Sequence, residues 1–518
     1  MKRSNSLSKL KSVKLWDVII IGGGASGLGS AIESASRGYK TLLLEKFDFA
    51  KGTSSRSTKL IHGGVRYLQN GDISLVIEAL KERGLLRKNA PHLVKDLSFV
   101  IPSYDWWTSP FYGVGLKIYD MMSGDLGIGP STFLNKSETE NLIPNVNKKG
   151  LKGGVIYYDG QFDDSRMAIS LAQTAEDHNG TLLNYIEVTD VVKDKDDTIS
   201  GVEVRDSFSG EEFQIKSKVV INATGVFSDS IMLMDSPKSS KMIQPSQGVH
   251  LVLEKKFLDS EHAIMVPHTT DGRVLFAVPW QNYVILGTTD TKVDEAKSEP
   301  KALNNEIDFI LSNAGKYMAS KPLKKDIKSI FVGLRPLAVS NDKNESTKEI
   351  SRHHKIKIST SGLISILGGK WTTYRKIGED AINSAILVGG LSSSKSITEN
   401  LKIHGYNKNP NFKDPLHVYG TDLKKIIKLT RDPDGNKSLS KKLNITKHQV
   451  LWAIQKEMAL TLEDVLARRT RCLFLDVFET EKLIDQVLEI MAEALSKNES
   501  WKSEQKLSFL SLTKKYKI

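Results

Sequence analysis

Residues 17–45 read DVIIIGGGASGLGSAIESASRGYKTLLLE: a strand at 18–21, a glycine-rich turn, a helical stretch to 37 and a second strand at 41–44. Gly22, Gly24 and Gly27 form G-x-G-x-x-G between strand and helix, where backbone amides approach a pyrophosphate and the helix N-terminus faces its charge. Glu45 ends the second strand, where a carboxylate accepts hydrogen bonds from both adenosine ribose hydroxyls and repels a 2′-phosphate. The unit predicts a bound dinucleotide; the glycine spacing alone does not separate NAD from FAD.

Pro102, Pro110, Gly113, Gly115 and the stretch 124–130 then interrupt the pattern, so regular Rossmann repetition stops. Alternating segments at 201–205, 212–215, 250–253, 273–278 and 283–287 read as antiparallel strands of a sheet-rich substrate domain. A short buried strand at 362–367, a Gly-Gly turn and a helix at 372–388 close the nucleotide domain. Beyond Gly389 and Gly390, the serine-rich stretch 392–396 reads as a linker, and 448–459 and 482–494 read as helices of a separate C-terminal domain.

Two segments favour FAD. Residues 219–225, VVINATG, form a buried strand ending in small residues, like the second cofactor-contact strand of many flavoproteins of this fold. Residues 367–373, LGGKWTT, resemble the returning strand and helix that cover an isoalloxazine, with a helix N-terminus available to an anionic reduced flavin. A second strand-bound G-x-G-x-x-G, the mark of a dedicated NAD(P) domain, is missing.

The chain of 518 residues exceeds what one hydrophobic core supports, and 39% hydrophobic with 26% charged residues is the balance of a folded globular enzyme. The single cysteine, Cys472, cannot form an intramolecular disulfide, which favours a reducing compartment. No run of about 20 apolar residues spans a membrane, and residues 1–14 carry five basic side chains and no acid, as in a basic flexible tail. The net charge of +12 suits a phosphorylated substrate, an acidic membrane surface or nucleic acid without choosing among them.

Residues 53–68, TSSRSTKLIHGGVRYL, resemble the signature of FAD-dependent glycerol-3-phosphate dehydrogenases. NATG at Asn222, QGVH at Gln247, VPW at Val278, GTTD at Gly287, VGLRPL at Val332 and GGKWTTYRK at Gly368 follow in that family's order, and ARRTR at Ala467 looks like its C-terminal domain. The resemblance implies an α/β fold: a Rossmann-like FAD domain, an antiparallel-sheet substrate domain as in D-amino-acid oxidase, and an α-helical C-terminal domain. On this chain the FAD domain takes 15–90 with 150–230 and 355–390, the substrate domain 91–149 with 231–354, and the helical domain 391–518. The implied reaction is oxidation of sn-glycerol 3-phosphate to dihydroxyacetone phosphate by hydride transfer from C2 to noncovalent FAD, with electrons passed to a membrane quinone.

Such chemistry needs a phosphate anchor and a base near the hydroxyl. Arg335 and Arg66 are the anchors the resemblance points to, since guanidinium forks match phosphate oxygens, and Tyr67 shares their pocket. Gly333 is expected to permit close substrate approach and Pro336 to stiffen a turn beside Arg335. His250 and Lys370 compete as the base: imidazole titrates near neutrality, and a lysine beside flavin and arginines can lose its proton. Cofactor contacts are expected from Gly22, Gly24, Gly27, Glu45, Thr53, Ser54, Ser55, His62, Gly63, Gly64, Ala223, Gly225, Gly369, Lys370 and Thr372, with His62 packed near the ring without a bond. No metal is expected.

Quinone reduction implies a peripheral place on the cytoplasmic face of the inner membrane. Trp106, Trp107, Phe111, Tyr112, Leu116, Ile118, Tyr119, Met121 and Met122 offer an aromatic-rich segment for contact with membrane lipid. A homodimer is compatible with these readings. The closest rival is a glycerol-3-phosphate oxidase, which gives its electrons to oxygen and makes hydrogen peroxide. A more distant one, an RNA-associated or noncatalytic FAD-binding protein, leaves Arg66, Arg335 and Lys370 unexplained, and no nucleic-acid partner is expected.

Overall fold

The structure is a computed structural model describing residues 1–64, 72–105, 108–339, 353–432 and 434–518. Strand Trp16–Ile21, helix Ala25–Ser36 and strand Thr41–Leu44 form the opening unit, the strands parallel with Val18 beside Thr41 and Ile21 beside Leu44. Their unbroken apolar runs are what a sheet covered on both faces requires. Glu212–Asn222 lies parallel on the other side of the first strand, Asn222 level with Ile21, so the Ala223–Gly225 segment emerges at the same edge as the glycine turn. Across this sheet the order is Lys355–Ile358, Ile364–Leu367, Glu212–Asn222, Trp16–Ile21, Thr41–Leu44, Thr181–Leu183. The C-terminal ends of its parallel strands share one edge, where ligands of open α/β sheets bind.

Helix Ala25–Ser36 is buried between Asp164–Asp177 and Tyr374–Val388. Its crossing with the latter is close because glycine meets glycine: a Cβ on Gly378 would lie 2.5 Å from the Gly29 backbone.

The second sheet centres on Ile243–Glu254, antiparallel to both Tyr283–Gly287 and Ser329–Ala338. Alternation sorts its two faces. Leu251, Leu253, Leu286, Ile330 and Val332 pack with helix Asn304–Tyr317, whereas Val252, Ile285 and Phe331 pack with the C-terminal helices. The helical region, with Lys447–Lys456, Ile484–Leu495 and Glu499–Thr513, therefore shares a core with the substrate sheet.

Two expectations are corrected. Residues 1–14 are not a flexible tail: Arg3–Ser12 is a helix whose Leu10 is buried and whose Arg3 donates to Asp206 at 2.9 Å, because Leu7 and Leu10 fall on one face. The strands Ile199–Asp206 and Glu212–Asn222 belong to the nucleotide-side sheet, since alternation reports a half-exposed strand without saying which sheet it joins. The Pro- and Gly-interrupted segment contains a helix, Thr108–Ser123, with Pro110 in its first turn, where a missing N–H costs nothing.

Candidate functional site

A cavity of about 510 Å³ opens at the C-terminal edge of the nucleotide-side sheet. Gly22 and Gly24 form one wall beside the N-terminus of helix Ala25–Ser36, which carries no acid in its first turn to offset the positive end of its dipole. Gly27 is a glycine for space: a Cβ there would stand 1.9 Å from the Gly22 carbonyl oxygen. Glu45 lines the adjoining wall, accepting from the Gly23 amide at 2.6 Å and the Phe47 amide at 2.8 Å. Burial raises its pKa against those two bonds. Glycine turn, helix terminus and carboxylate are the donor set that an ADP moiety requires, and the residues present fit FAD.

The loop after the second strand forms the next wall. Thr53 donates to the Leu334 carbonyl at 2.6 Å, the Ser54 hydroxyl accepts from the Ala25 amide at 2.9 Å, and the Ser54 carbonyl accepts from the Trp371 indole at 2.9 Å. This loop thereby ties the glycine turn, the substrate sheet and the 368–371 turn together. Ala223, Gly225, Gly369 and Lys370 complete the far side. Ala296 and Ser298, from a strap between the substrate sheet and helix Asn304–Tyr317, also line the cavity, and Glu299 beside them pairs with Lys51 at 2.7 Å and Arg56 at 2.6 Å.

Of the expected cofactor contacts, the cavity brings together Gly22, Gly24, Glu45, Thr53, Ser54, Ala223, Gly225, Gly369 and Lys370. Gly27, Ser55, His62, Gly63, Gly64 and Thr372 do not line it. Ser55 is buried behind the wall, and the Gly63 amide donates to the Tyr119 hydroxyl at 2.8 Å. The Thr372 hydroxyl donates to the His62 carbonyl at 3.5 Å, so these two stand together.

Register decides where His250 and Arg335 point. His250 pairs with Phe331 and Ser246 with Arg335, so Ser246, Gly248 and His250 share a sheet face with Phe331, Gly333 and Arg335. Gly248 makes room for the guanidinium, since a Cβ would lie 2.6 Å from Arg335 Nη2. Arg335 donates to the Thr289 carbonyl at 3.1 Å and the Thr288 hydroxyl at 3.2 Å, with Asp290 at 3.6 Å, and stays partly exposed. Gly333 departs from expectation: the Arg56 carbonyl stands 2.8 Å from where its Cβ would be, so its space goes to the cofactor loop. Pro336 lies in the strand opposite Pro245, not in a turn, and lines the cofactor cavity.

His250 is buried, its ring stacked on Phe331 at 4.7 Å and its Nε2 2.9 Å from the Thr58 hydroxyl, while Nδ1 has no hydrogen-bond partner among the described residues. Burial first, then the charges of Lys59 and Arg335, hold its pKa well below the usual histidine value. Arg66, Tyr67, Trp106 and Trp107 lie outside the described residues. Thr58, Lys59, Glu299 and Asp164 were not foreseen as site residues. Thr58 and Lys59 sit inside the decisive 53–68 stretch, but nothing in a sequence marks a lysine as buried.

The family described as FAD dependent oxidoreductase matches residues 17–375, and the C-terminal domain of alpha-glycerophosphate oxidase matches residues 382–506. The mitochondrial glycerol-3-phosphate dehydrogenases of Bos taurus and Homo sapiens are each 38% identical over 97% of this chain and 74% of their own. Among solved structures, the glycerol-3-phosphate dehydrogenase from Bacillus halodurans complexed with FAD is 27% identical, covers 99% of this chain and 97% of its own, and superposes with a TM-score of 0.80. L-alpha-glycerophosphate oxidase from Mycoplasma pneumoniae with FAD bound shares the fold, at 18% identity over 75% of this chain and 98% of its own, with a TM-score of 0.57.

Proposed function

This chain belongs to the FAD-dependent glycerol-3-phosphate dehydrogenases, and we propose that it passes the electrons it takes from sn-glycerol 3-phosphate to a membrane quinone. It is an FAD-dependent oxidoreductase acting on glycerol 3-phosphate, and the near-full-length match at 38% identity carries that statement. FAD, when bound, supplies the hydride acceptor.

Around it, the residues of the chain divide the remaining work. Arg335 anchors the substrate phosphate, being a partly exposed guanidinium fixed by Thr288 and Thr289. His250 takes the proton of the C2 hydroxyl on Nδ1; its burial and its cationic neighbours favour the neutral imidazole that a base must be. Lys370 lines the cofactor cavity and holds the flavin end of the site. FAD is held without a covalent bond.

Among the described residues no helix is long and apolar enough to cross a membrane. Helix Thr108–Ser123 instead supports peripheral contact with the cytoplasmic face of the inner membrane. Phe111, Val114, Ile118 and Met121 recur every three or four residues and are exposed by 61%, 64%, 45% and 82%, forming one apolar stripe. Tyr112, Leu116 and Tyr119, expected on that surface, are buried in the domain instead, because they occupy the opposite face. The oxidase reading lacks such support, as an oxygen acceptor needs no lipid contact. Comparing quinone-analogue reduction with hydrogen peroxide yield at equal substrate turnover tests the acceptor: peroxide in proportion to substrate consumed would reject the quinone.

A further inference from the structure

Lys59 is a fully buried cation with no part in the chemistry above. Its ammonium donates to the Ser55 carbonyl at 2.7 Å and to Asp164 Oδ2 at 2.7 Å. Arg471, from the C-terminal domain, donates to the same two groups, the Ser55 carbonyl at 2.7 Å and Asp164 Oδ1 at 3.1 Å. Asp164 also accepts from the Ser57 amide at 3.0 Å and the Ser57 hydroxyl at 2.7 Å. The rings of Trp280, Phe331 and Phe474 lie 5.4, 4.9 and 5.3 Å from the ammonium. One carboxylate thus serves two cations inside an aromatic box, and both cationic residues adopt left-handed backbone, φ +63 at Lys59 and +64 at Arg471. Desolvated charge and backbone strain both oppose folding, and such groupings concentrate at functional sites.

What the cluster holds is the surroundings of His250. Thr58, next in the chain to Lys59, is the hydrogen-bond partner of His250 Nε2 at 2.9 Å. Phe331, one of the three rings around the ammonium, is the ring stacked on the imidazole. Two direct neighbours of His250 are therefore tied to Lys59, one through a peptide bond and one through a cation–π contact. We infer that Lys59, held by Asp164 and the Ser55 carbonyl, which Arg471 of the C-terminal domain also binds, is the positioning residue for His250 in glycerol 3-phosphate oxidation, an assignment that rests on His250 being the proton acceptor. In the tautomer whose Nε2–H donates to the Thr58 hydroxyl, the lone pair falls on Nδ1. The C-terminal domain then acts on the reaction from behind, through Arg471.

The charge of Lys59 also works on His250 directly. The charged groups acting on His250 are Lys59 and Arg335, and those acting on Lys59 are Asp164, Arg471 and Asp163. Burial pushes Lys59 down to about 7, Arg471 adding to that and Asp164 and Asp163 opposing it. Below pH 7, where His250 takes up its proton, Lys59 is charged and disfavours the imidazolium.

The test is the pH dependence of kcat/KM for FAD-loaded wild type, Lys59→Met, Thr58→Val, Thr58→Ser and His250→Asn, with FAD content read from absorbance. The expected result for Lys59→Met is an acid limb moved to higher pH and a kcat reduced on the order of 10- to 100-fold with KM little changed. Thr58→Val should lose activity that Thr58→Ser recovers in large part. An acid limb that is lost in His250→Asn but unmoved in FAD-loaded Lys59→Met would overturn the positioning role alone. If His250→Asn keeps the wild-type profile, the base assignment and the positioning role fall together. Should Lys59→Met fail to fold, the Thr58 pair decides, and full activity in Thr58→Val overturns the proposal.

Discussion

Asp48, just after the second strand of the nucleotide-side sheet, and Arg469 of the C-terminal domain form a two-pronged ion pair at 2.7 and 2.9 Å, both side chains wholly buried. Arg468 joins it through Nε at 2.5 Å, and its own Nη2 reaches Asp464 at 2.6 Å. The arginine-rich ARRTR run is thus a set of fasteners from the helical domain onto the cofactor loop. Burial opposes the charge on Asp48, but the two guanidinium groups hold its carboxyl well below the usual range. Asp48→Asn leaves two buried guanidinium groups without their shared partner, and breaking such a pair costs about 3–5 kcal/mol. Chemical denaturation should show that loss, with weakened FAD retention alongside it.

Glu299 fastens the strap that carries Ala296 and Ser298 to the cofactor loop through Lys51 and Arg56. Burial raises its pKa, Arg56 and Lys51 lower it by more, and the net shift is downward. Glu299→Gln should speed FAD release, measured by dilution of the holoenzyme into apoprotein-trapping conditions, while leaving the far-UV spectrum unchanged. An unchanged release rate would separate the strap from cofactor retention.

A cation at neutral pH joins the C-terminal domain to the nucleotide domain: His404 bonds Asp177 at 2.6 Å and Asp422 at 2.8 Å. Burial opposes its protonation, but the two carboxylates raise it to about 9 from 6.5. A raised folded-state value means the stabilisation is complete below about pH 6.5, declines as pH rises, and is gone above about pH 9. The denaturation midpoints of wild type and His404→Gln should accordingly lie well apart at pH 6 and converge by pH 10.

Gly27→Ala places a methyl group against the Gly22 carbonyl, and overpacking there costs about 1–3 kcal/mol, roughly 5- to 150-fold in FAD affinity if the turn yields rather than the fold. Fluorescence titration of the apoprotein with FAD reads this directly.

For membrane contact, the stripe on helix Thr108–Ser123 predicts that Phe111→Ser combined with Ile118→Ser and Met121→Ser abolishes flotation with liposomes while soluble turnover persists. Equal flotation by the folded variant would remove this helix from the interface.

The fold was legible where one pattern had one physical cause. The G-x-G-x-x-G of Gly22, Gly24 and Gly27 between two unbroken apolar strands admits little else, and the strand Tyr283–Gly287 is bounded as its alternation predicts. Helix Thr108–Ser123 was hidden because Pro110, Gly113 and Gly115 read as breakers, whereas a proline in a first turn and a Gly113 that accepts Phe133 against the helix do not break it. Of the candidate site, residue type and motif picked out Arg335 and His250, while their place on one sheet face follows from strand register that the sequence does not carry. Lys59, Asp164 and Arg471 were not, because a charge cluster assembled from residues 59, 164 and 471 exists only once three segments have packed. Gly333 shows the same limit, its missing side chain serving the Arg56 backbone and not a substrate.

Arg335→Ala should lower kcat/KM for glycerol 3-phosphate by roughly 10- to 150-fold, the worth of about 1.5–3 kcal/mol for a charge-assisted hydrogen bond. FAD content should stay as in wild type, and a loss of flavin with unchanged substrate dependence would take Arg335 out of the anchor role.

The most direct measurement is anaerobic addition of sn-glycerol 3-phosphate to the purified holoprotein while following the oxidised flavin absorbance. Bleaching with sn-glycerol 3-phosphate, and none with glycerol or with unrelated phosphates and hydroxy acids, is the expected result. A flavin that stays oxidised with sn-glycerol 3-phosphate, or bleaches equally with glycerol, would contradict FAD-linked oxidation of this substrate by the chain.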